Sequence, residues 1–289
     1  MVNTQKLILG TVQFGLDYGI NNKYPKVSDD EVYQILNIAY NAGVRTIDTA
    51  PVYGNAESLI GKYNNQYPEK NFKIITKVDL NNNVDWQKSL AGSLQRLNVP
   101  SVDTLLFHSI SDYQKNRNDS QTYKEVNNLE AEINIGVSVY TNDELKVLIE
   151  DVNIQVVQAP FNLLDNEILR GQVFKELKDA GKTVHIRSVF LQGLFFMDLA
   201  LLPANLVKLK PYLQELKSLS IKYELPIGAI ALQYALSKDY IDGVLFGVES
   251  KEQLKTNFEW LTKKVDKNAF NHIDKIKINN TELLNPSNW

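Results

Sequence analysis

Three hydrophobic runs in this sequence end on ionisable residues. The run 44–47 leads into Asp48, the run 72–77 closes on Lys77, and the run 102–108 closes on His108. Tyr53 follows the first of them, on a turn made of small residues. Taken singly, Asp48 is an ordinary turn former, Tyr53 a half-buried aromatic, Lys77 a rim charge and His108 a satisfied histidine. Together they ask for a different explanation, because a desolvated charge at the end of a buried strand needs a partner. Brought to one rim, the four form a proton-transfer cluster. A tyrosine near its free pKa of about 10 is a weak acid at neutral pH. A neighbouring ammonium favours phenolate and draws that value down. Lys77 is of the type to do so, with Asp48 holding it charged, while His108 can hydrogen-bond a substrate oxygen. None of the four supplies a hydride, so carbonyl reduction here needs a nicotinamide. A Schiff-base lyase built on Lys77 is a second enzyme reading, and a non-catalytic nicotinamide-binding subunit acting as a sensor is a third.

The elements that must position these residues alternate. Strands are expected at 7–12, 44–48, 72–77, 102–108, 133–138, 154–158, 183–188 and 243–247. Helices are expected from Ser28, which opens a capping box with Glu31, from Glu57, and over 86–97, 123–129, 142–150, 167–180, 210–223, 227–237, 250–261 and 268–278. In the first helix Val32, Ile35, Leu36 and Ala39 form one apolar stripe, and Gly43 ends it. A loop at 81–83 and an aromatic, glycine-rich loop at 13–21 join strands to helices, the latter bordering the substrate. The apolar stretch 189–203 is long enough to be functional. Eight strand–helix units without a linker imply a single parallel (β/α)8 barrel, a TIM barrel of the α/β class, as one domain over residues 1–289. The chain of 289 residues suits that fold, which takes about 250. In such barrels the reactive groups lie at the carboxyl ends of the strands.

Composition narrows the function further. Hydrophobic residues at 44% and charged ones at 22% are those of a water-soluble globular protein. A net charge of −3 offers no basic surface for nucleic acid. With no cysteine there is no disulfide framework, thiol catalysis or cysteine-bound metal, and no metal is read into the site. The first residues lack a signal-peptide core and no apolar run spans a bilayer, so a cytoplasmic enzyme away from membranes is expected.

The stretch Asp48-Thr49-Ala50-Pro51-Val52-Tyr53-Gly54-Asn55-Ala56-Glu57 resembles the Asp-Thr-Ala-x-x-Tyr-Gly-x-x-Glu motif of the aldo-keto reductases. Lys77 and His108 fall on the next two strands, as in that family, and the resemblance runs from Leu9-Gly10-Thr11 to Gly247. It implies NADP or NAD as cofactor, a small-molecule carbonyl or sugar-like substrate, and Asp48, Tyr53, Lys77 and His108 as the catalytic residues. It also implies a set of cofactor contacts. Ser138 and Gln158 would hold the carboxamide, and the backbone of Arg187, Ser188, Phe190, Leu191 and Gly193 the pyrophosphate. Gly247, Glu249, Gln253 and Asn257 would surround the adenosine, and Gly10, Thr11 and Asp48 belong to the same set. Tyr18, Val52, Trp86 and Phe161 are expected to line the substrate pocket, with Trp289 as a further candidate. The chain departs from the pattern in three places. It has no room for the N-terminal hairpin that plugs many of these barrels. Arg187 stands where many relatives stack a tyrosine on the nicotinamide, and it can stack there or bind an anionic substrate group. Gly247, Glu249, Ser250 and Gln253 replace the basic residues that bind a 2′-phosphate, with Lys251 the nearby cation.

Overall fold

The structure, a computed structural model, describes residues 4–22, 27–78, 85–117 and 133–289. The loop expected at 81–83 and the helix expected at 123–129 lie outside them. Eight parallel strands close into a barrel in chain order. They are β1 (Leu7–Gly10), β2 (Thr46–Asp48), β3 (Lys73–Val78), β4 (Thr104–Phe107), β5 (Asn134–Ser138), β6 (Val156–Pro160), β7 (Thr183–Arg187) and β8 (Gly243–Gly247). β1 pairs with β2 on one side and β8 on the other, and Gly10 stands in register with both Asp48 and Gly247. Among the described residues no strand precedes β1.

Side chains alternate along a strand, so residues two apart share a face. Ile8, Ile75, Leu106 and Val156, with Leu245 against them, fill the barrel interior. Two positions further along the same five strands stand Gly10, Lys77, His108, Gln158 and Gly247. The apolar interior layer therefore carries the polar residues directly to the rim.

The described α-helices are α1 (Val12–Gly15), α2 (Asp29–Asn41), α3 (Ala56–Gln66), α4 (Trp86–Leu97), α5 (Ile110–Arg117), α6 (Asn142–Ile149), α7 (Glu167–Asp179), α8 (Lys210–Lys222), α9 (Ile227–Leu236), α10 (Lys251–Thr262) and α11 (Lys267–Ile273). The inner stripe of α2 is fully buried, as its spacing requires. Its capping box is only half made. Ser28 Oγ accepts from Glu31 N at 3.3 Å, but the Glu31 carboxylate leaves the helix end and accepts from Lys251 N at 2.6 Å. A complete box forms at α6 instead, between Thr141 and Glu144. α5 falls where the sequence is polar and its low amphipathicity gives no periodic signal. The long stretch after β7 contains two 3₁₀ segments, Leu191–Phe196 and Ala204–Leu209.

Candidate active site

At the carboxyl ends of the strands lies a cavity of about 720 Å³, within the range of small-molecule and cofactor sites. Asp48, Tyr53, Lys77 and His108 all line it. Lys77 Nζ lies 2.5 Å from Asp48 Oδ1 and 3.0 Å from the carbonyl oxygen of Thr49. Gln158 Nε2 donates to the other carboxylate oxygen at 2.8 Å, and Thr11 Oγ1 donates to the Asp48 carbonyl at 2.9 Å. The Lys77 and Asp48 side chains are 2% and 3% exposed. So buried an ion pair is tolerated only when its remaining donors and acceptors are satisfied, which is what Thr49 and Gln158 accomplish.

The charges act on one another. Burial pushes the Lys77 ammonium down, but Asp48 and Tyr53 more than offset it, and Lys77 stays above its ordinary value. Burial raises Tyr53; Lys77 pulls the phenol down as anticipated, through its charge and a hydrogen bond, yet burial prevails. The Lys77 ammonium lies 5.1 Å from the centroid of the Tyr53 ring. His108 meets that ring edge-on at 6.4 Å. Burial and the nearby Lys77 charge hold its imidazole at about 4, so it is neutral at pH 7.

The wall opposite is made by the turn after β7. Ser188, Leu191 and Gln192 adopt positive φ of 60°, 48° and 53°, followed by Gly193 at 84°. Such a run of left-handed residues is costly and persists only where surrounding structure enforces it. Part of that enforcement is visible: Gln192 Nε2 donates to Tyr18 Oη at 2.9 Å, which ties this turn to the loop after β1. Ser188, Phe190, Gln192 and Gly193 line the cavity.

At the far end, β8 runs into α10. Gly10 and Gly247 are packed too closely for a side chain, since a β-carbon at Gly247 would meet Gln13 Oε1 at 2.5 Å and one at Gly10 would meet Leu245 Cδ2 at 2.9 Å. Gln13 Oε1 is buried and has no hydrogen-bond partner among the described residues. Glu249 and Gln253 bind each other, Glu249 N donating to Gln253 Oε1 at 2.8 Å and Gln253 Nε2 to Glu249 Oε2 at 3.1 Å. Both line the cavity, with Glu252 and Asn257. Lys251 does not: its Nζ reaches Gln34 Oε1 at 2.6 Å and Glu31 Oε2 at 3.3 Å, on α2.

Several expected residues lie elsewhere. Phe161 is fully buried and stacks on Tyr234 with ring centroids 5.4 Å apart, in the layer between barrel and helices. Trp86 is buried at the start of α4 and packs in the same core. Val52 is on the exposed turn before Tyr53 and adds nothing to the cavity wall. Thr11 and Leu191 are buried behind that wall. Trp289 packs against the core and donates Nε1–H to the Leu283 carbonyl at 3.0 Å. Of the expected pocket residues, Tyr18 alone lines the cavity. Sequence reasoning missed Gln13, Tyr140, Phe196 and Trp260, all of which line it. Gln13 stood in the loop already expected at the substrate. Trp260 carried no signal, since it arrives from α10 and stacks on Phe196 at 5.9 Å.

Among the described residues no group of three or more His, Cys, Asp or Glu is arranged to hold a metal ion, and no helix is long and apolar enough to cross a membrane.

Comparison with known proteins agrees with this fold. The sequence model of the Aldo/keto reductase family matches residues 6–278. Pyridoxal 4-dehydrogenase of Microbacterium luteolum is 23% identical over 89% of each chain. D-threo-aldose 1-dehydrogenase of a Pseudomonas species is also 23% identical, over 85% of this chain and 88% of its own. The solved holo form of an aldo-keto reductase from Bacillus halodurans has the same fold, with a TM-score of 0.69 at 19% identity over 94% of this chain and 92% of that one.

Proposed function

Because the chain belongs to the aldo/keto reductase family, we propose that it is a nicotinamide-dependent oxidoreductase that reduces the carbonyl of a small or sugar-like molecule to an alcohol. The observation that carries this reading is the buried Lys77–Asp48 pair beside the Tyr53 phenol. The relatives named for pyridoxal and for aldoses support the substrate class.

The residues present fit the cofactor. Gln13 Oε1 lines the cavity as an acceptor without a partner among the described residues, and Ser188, Phe190, Gln192 and Gly193, on a turn with left-handed residues, border it. Such turns are suited to phosphate oxygens. Ser138 and Asn257 complete the set; Gln158, whose amide nitrogen is committed to Asp48, braces that carboxylate as well as bordering the cofactor. When bound, reduced nicotinamide supplies the hydride.

The chain's own residues handle the proton. Burial raises the Tyr53 phenol above its ordinary value, and Lys77 lowers the cost of the phenolate left after it donates to the carbonyl oxygen. Asp48 holds Lys77 charged and directed. Neutral His108 keeps one ring nitrogen as donor, to orient the carbonyl. A Lys77 held in its ammonium form is a poor amine nucleophile, which weighs against a Schiff-base lyase.

At the adenosine end the cavity is lined by Glu249 and Glu252, while Lys251 is occupied by α2. That balance favours a ribose 2′-hydroxyl over a 2′-phosphate, so NADH is used at least as well as NADPH.

The test is Tyr53→Phe, assayed on a panel of aldehydes that the wild type reduces. Turnover should fall about 10²- to 10⁴-fold with the dissociation constant of the cofactor unchanged. Near wild-type turnover refutes the proposed mechanism.

A further inference from the structure

The cavity has a second cation, and among the described residues no carboxylate forms an ion pair with it. Arg187, the last residue of β7, lies in the wall with its guanidinium carbon 4.1 Å from the centroid of the Tyr140 ring. Nη2 donates to the Val139 carbonyl at 3.1 Å, the one side-chain hydrogen bond Arg187 makes among the described residues. Among those residues no carboxylate lies within ion-pair distance of it; its charge reaches Asp165, but that carboxylate is already bound by Arg170. Arg170 shows how the same chain treats a guanidinium with a structural role. It makes two bonds to Asp165, at 2.6 and 2.9 Å, and further bonds to Asn142 and the Tyr140 carbonyl.

The Tyr140 ring and the Val139 carbonyl hold the guanidinium, and its Nε–H and Nη1–H groups make no hydrogen bond among the described residues. A guanidinium edge matches the two oxygens of a carboxylate or phosphoryl group. When ligands fill the cavity, Arg187 loses water, and an unpaired charge there becomes costly. The carboxylates that line the cavity do not relieve this: Asp48 is bound to Lys77 and Gln158, and Glu249 and Glu252 lie at the α10 end. Arg187 belongs to the opposite end, where its charge reaches Tyr53, His108 and Tyr18.

We propose that Arg187 recognises an oxyanion carried by the substrate, so that the protein acts on carbonyl compounds bearing a carboxylate or phosphoryl group. This rests on the reductase reading for its chemistry and adds the substrate class to it.

Two matched pairs of aldehydes test it: 4-carboxybenzaldehyde against its methyl ester, and D-glyceraldehyde 3-phosphate against D-glyceraldehyde. In the wild type kcat/KM should favour the charged member of at least one pair by about tenfold to a hundredfold. That ratio should fall toward one in Arg187→Met and recover in part in Arg187→Lys, which restores charge without the planar edge. The pair that responds tells carboxylate from phosphoryl. Absence of a charge preference in both pairs, or a preference that survives in Arg187→Met, overturns the assignment. So does a variant that loses NADH affinity alone, which makes Arg187 a cofactor residue. Calorimetric binding of the two benzaldehydes to protein saturated with NAD⁺ separates the two proposals. Carboxylate binding that depends on Arg187 without turnover of any aldehyde leaves the oxyanion recognition standing and removes the reductase reading, and with it the substrate's chemistry. Turnover without charge preference does the reverse.

Discussion

Gly15 and Tyr53 meet backbone to backbone, so closely that a β-carbon on Gly15 would stand 1.7 Å from the Tyr53 carbonyl oxygen. Gly54 continues the contact. It holds φ at +58°, and its own added β-carbon would lie 2.4 Å from the Gly15 carbonyl oxygen. Any side chain at either place pushes the turn carrying the phenol away from the loop after β1. These two glycines thus seat the proposed proton donor without touching the cavity chemistry themselves.

Gly15→Ala should therefore act on geometry. Misplacement of a reacting group by about 1 Å costs on the order of a hundredfold in rate. The expected outcome is a fall in kcat approaching that size, with far-UV circular dichroism unchanged and NADH affinity within about threefold. An alanine variant with wild-type kcat means that the turn yields elsewhere and that Gly15 does not seat Tyr53.

The gathering of Asp48, Tyr53, Lys77 and His108 on one cavity was legible in sequence because each stands at or just past a strand end, and strand ends in a parallel barrel face one way. Asp48, Lys77 and His108 needed only the strand boundaries. Direction within a strand was harder to read. β6 is buried on both faces, Val156–Pro160 without a break, as parallel strands are. It shows no alternation to say whether the residue that follows turns inward or out. Phe161 was misread for that reason. Trp86 failed differently, as a helix-opening residue whose burial depends on what packs over it. The Gly15–Tyr53 contact, the turn of Lys251 toward Glu31 and the bond from Gln158 to Asp48 all join segments far apart in the chain. No local pattern encodes them.

His108 gives a pH test with a definite sign. Burial first and the Lys77 charge second hold its imidazole at about 4, against an ordinary 6.5. Above pH 6.5 it is neutral in the folded and unfolded chains alike, and its contribution is fully present. As pH falls from 6.5 to 4 the unfolded chain takes up a proton that the folded chain refuses. Stability drops across that window, by at most about 3 kcal/mol. His108→Gln removes the drop while leaving other titrating groups in place. Urea unfolding at intervals across the window should give a shallower decline for the variant than for wild type. Parallel declines mean that His108 titrates normally in the folded protein.

The cofactor preference turns on Glu249. It lines the cavity, is fixed by its two bonds with Gln253, and among the described residues has no cation near it in the wall, since Lys251 is held by Glu31 and Gln34. Burial pushes its carboxyl up, with Gln253 opposing and Asp17 adding to the rise. A carboxylate there can accept from a ribose 2′-hydroxyl and repels a phosphate in the same place. A hydrogen bond to a charged group contributes about 1.5–3 kcal/mol. Part of that capacity is already engaged by Gln253, so the lower end applies, roughly tenfold in affinity. Glu249→Ala should weaken NADH by about that factor and leave NADPH equal or tighter, because the repulsion goes with the carboxylate. Lys251→Ala should change neither, as its ammonium is spent on α2. Fluorescence titration of both reduced cofactors against the three proteins measures this directly. A wild type that clearly prefers NADPH, with Glu249→Ala unchanged toward NADH, would sink the assignment of Glu249 to the ribose.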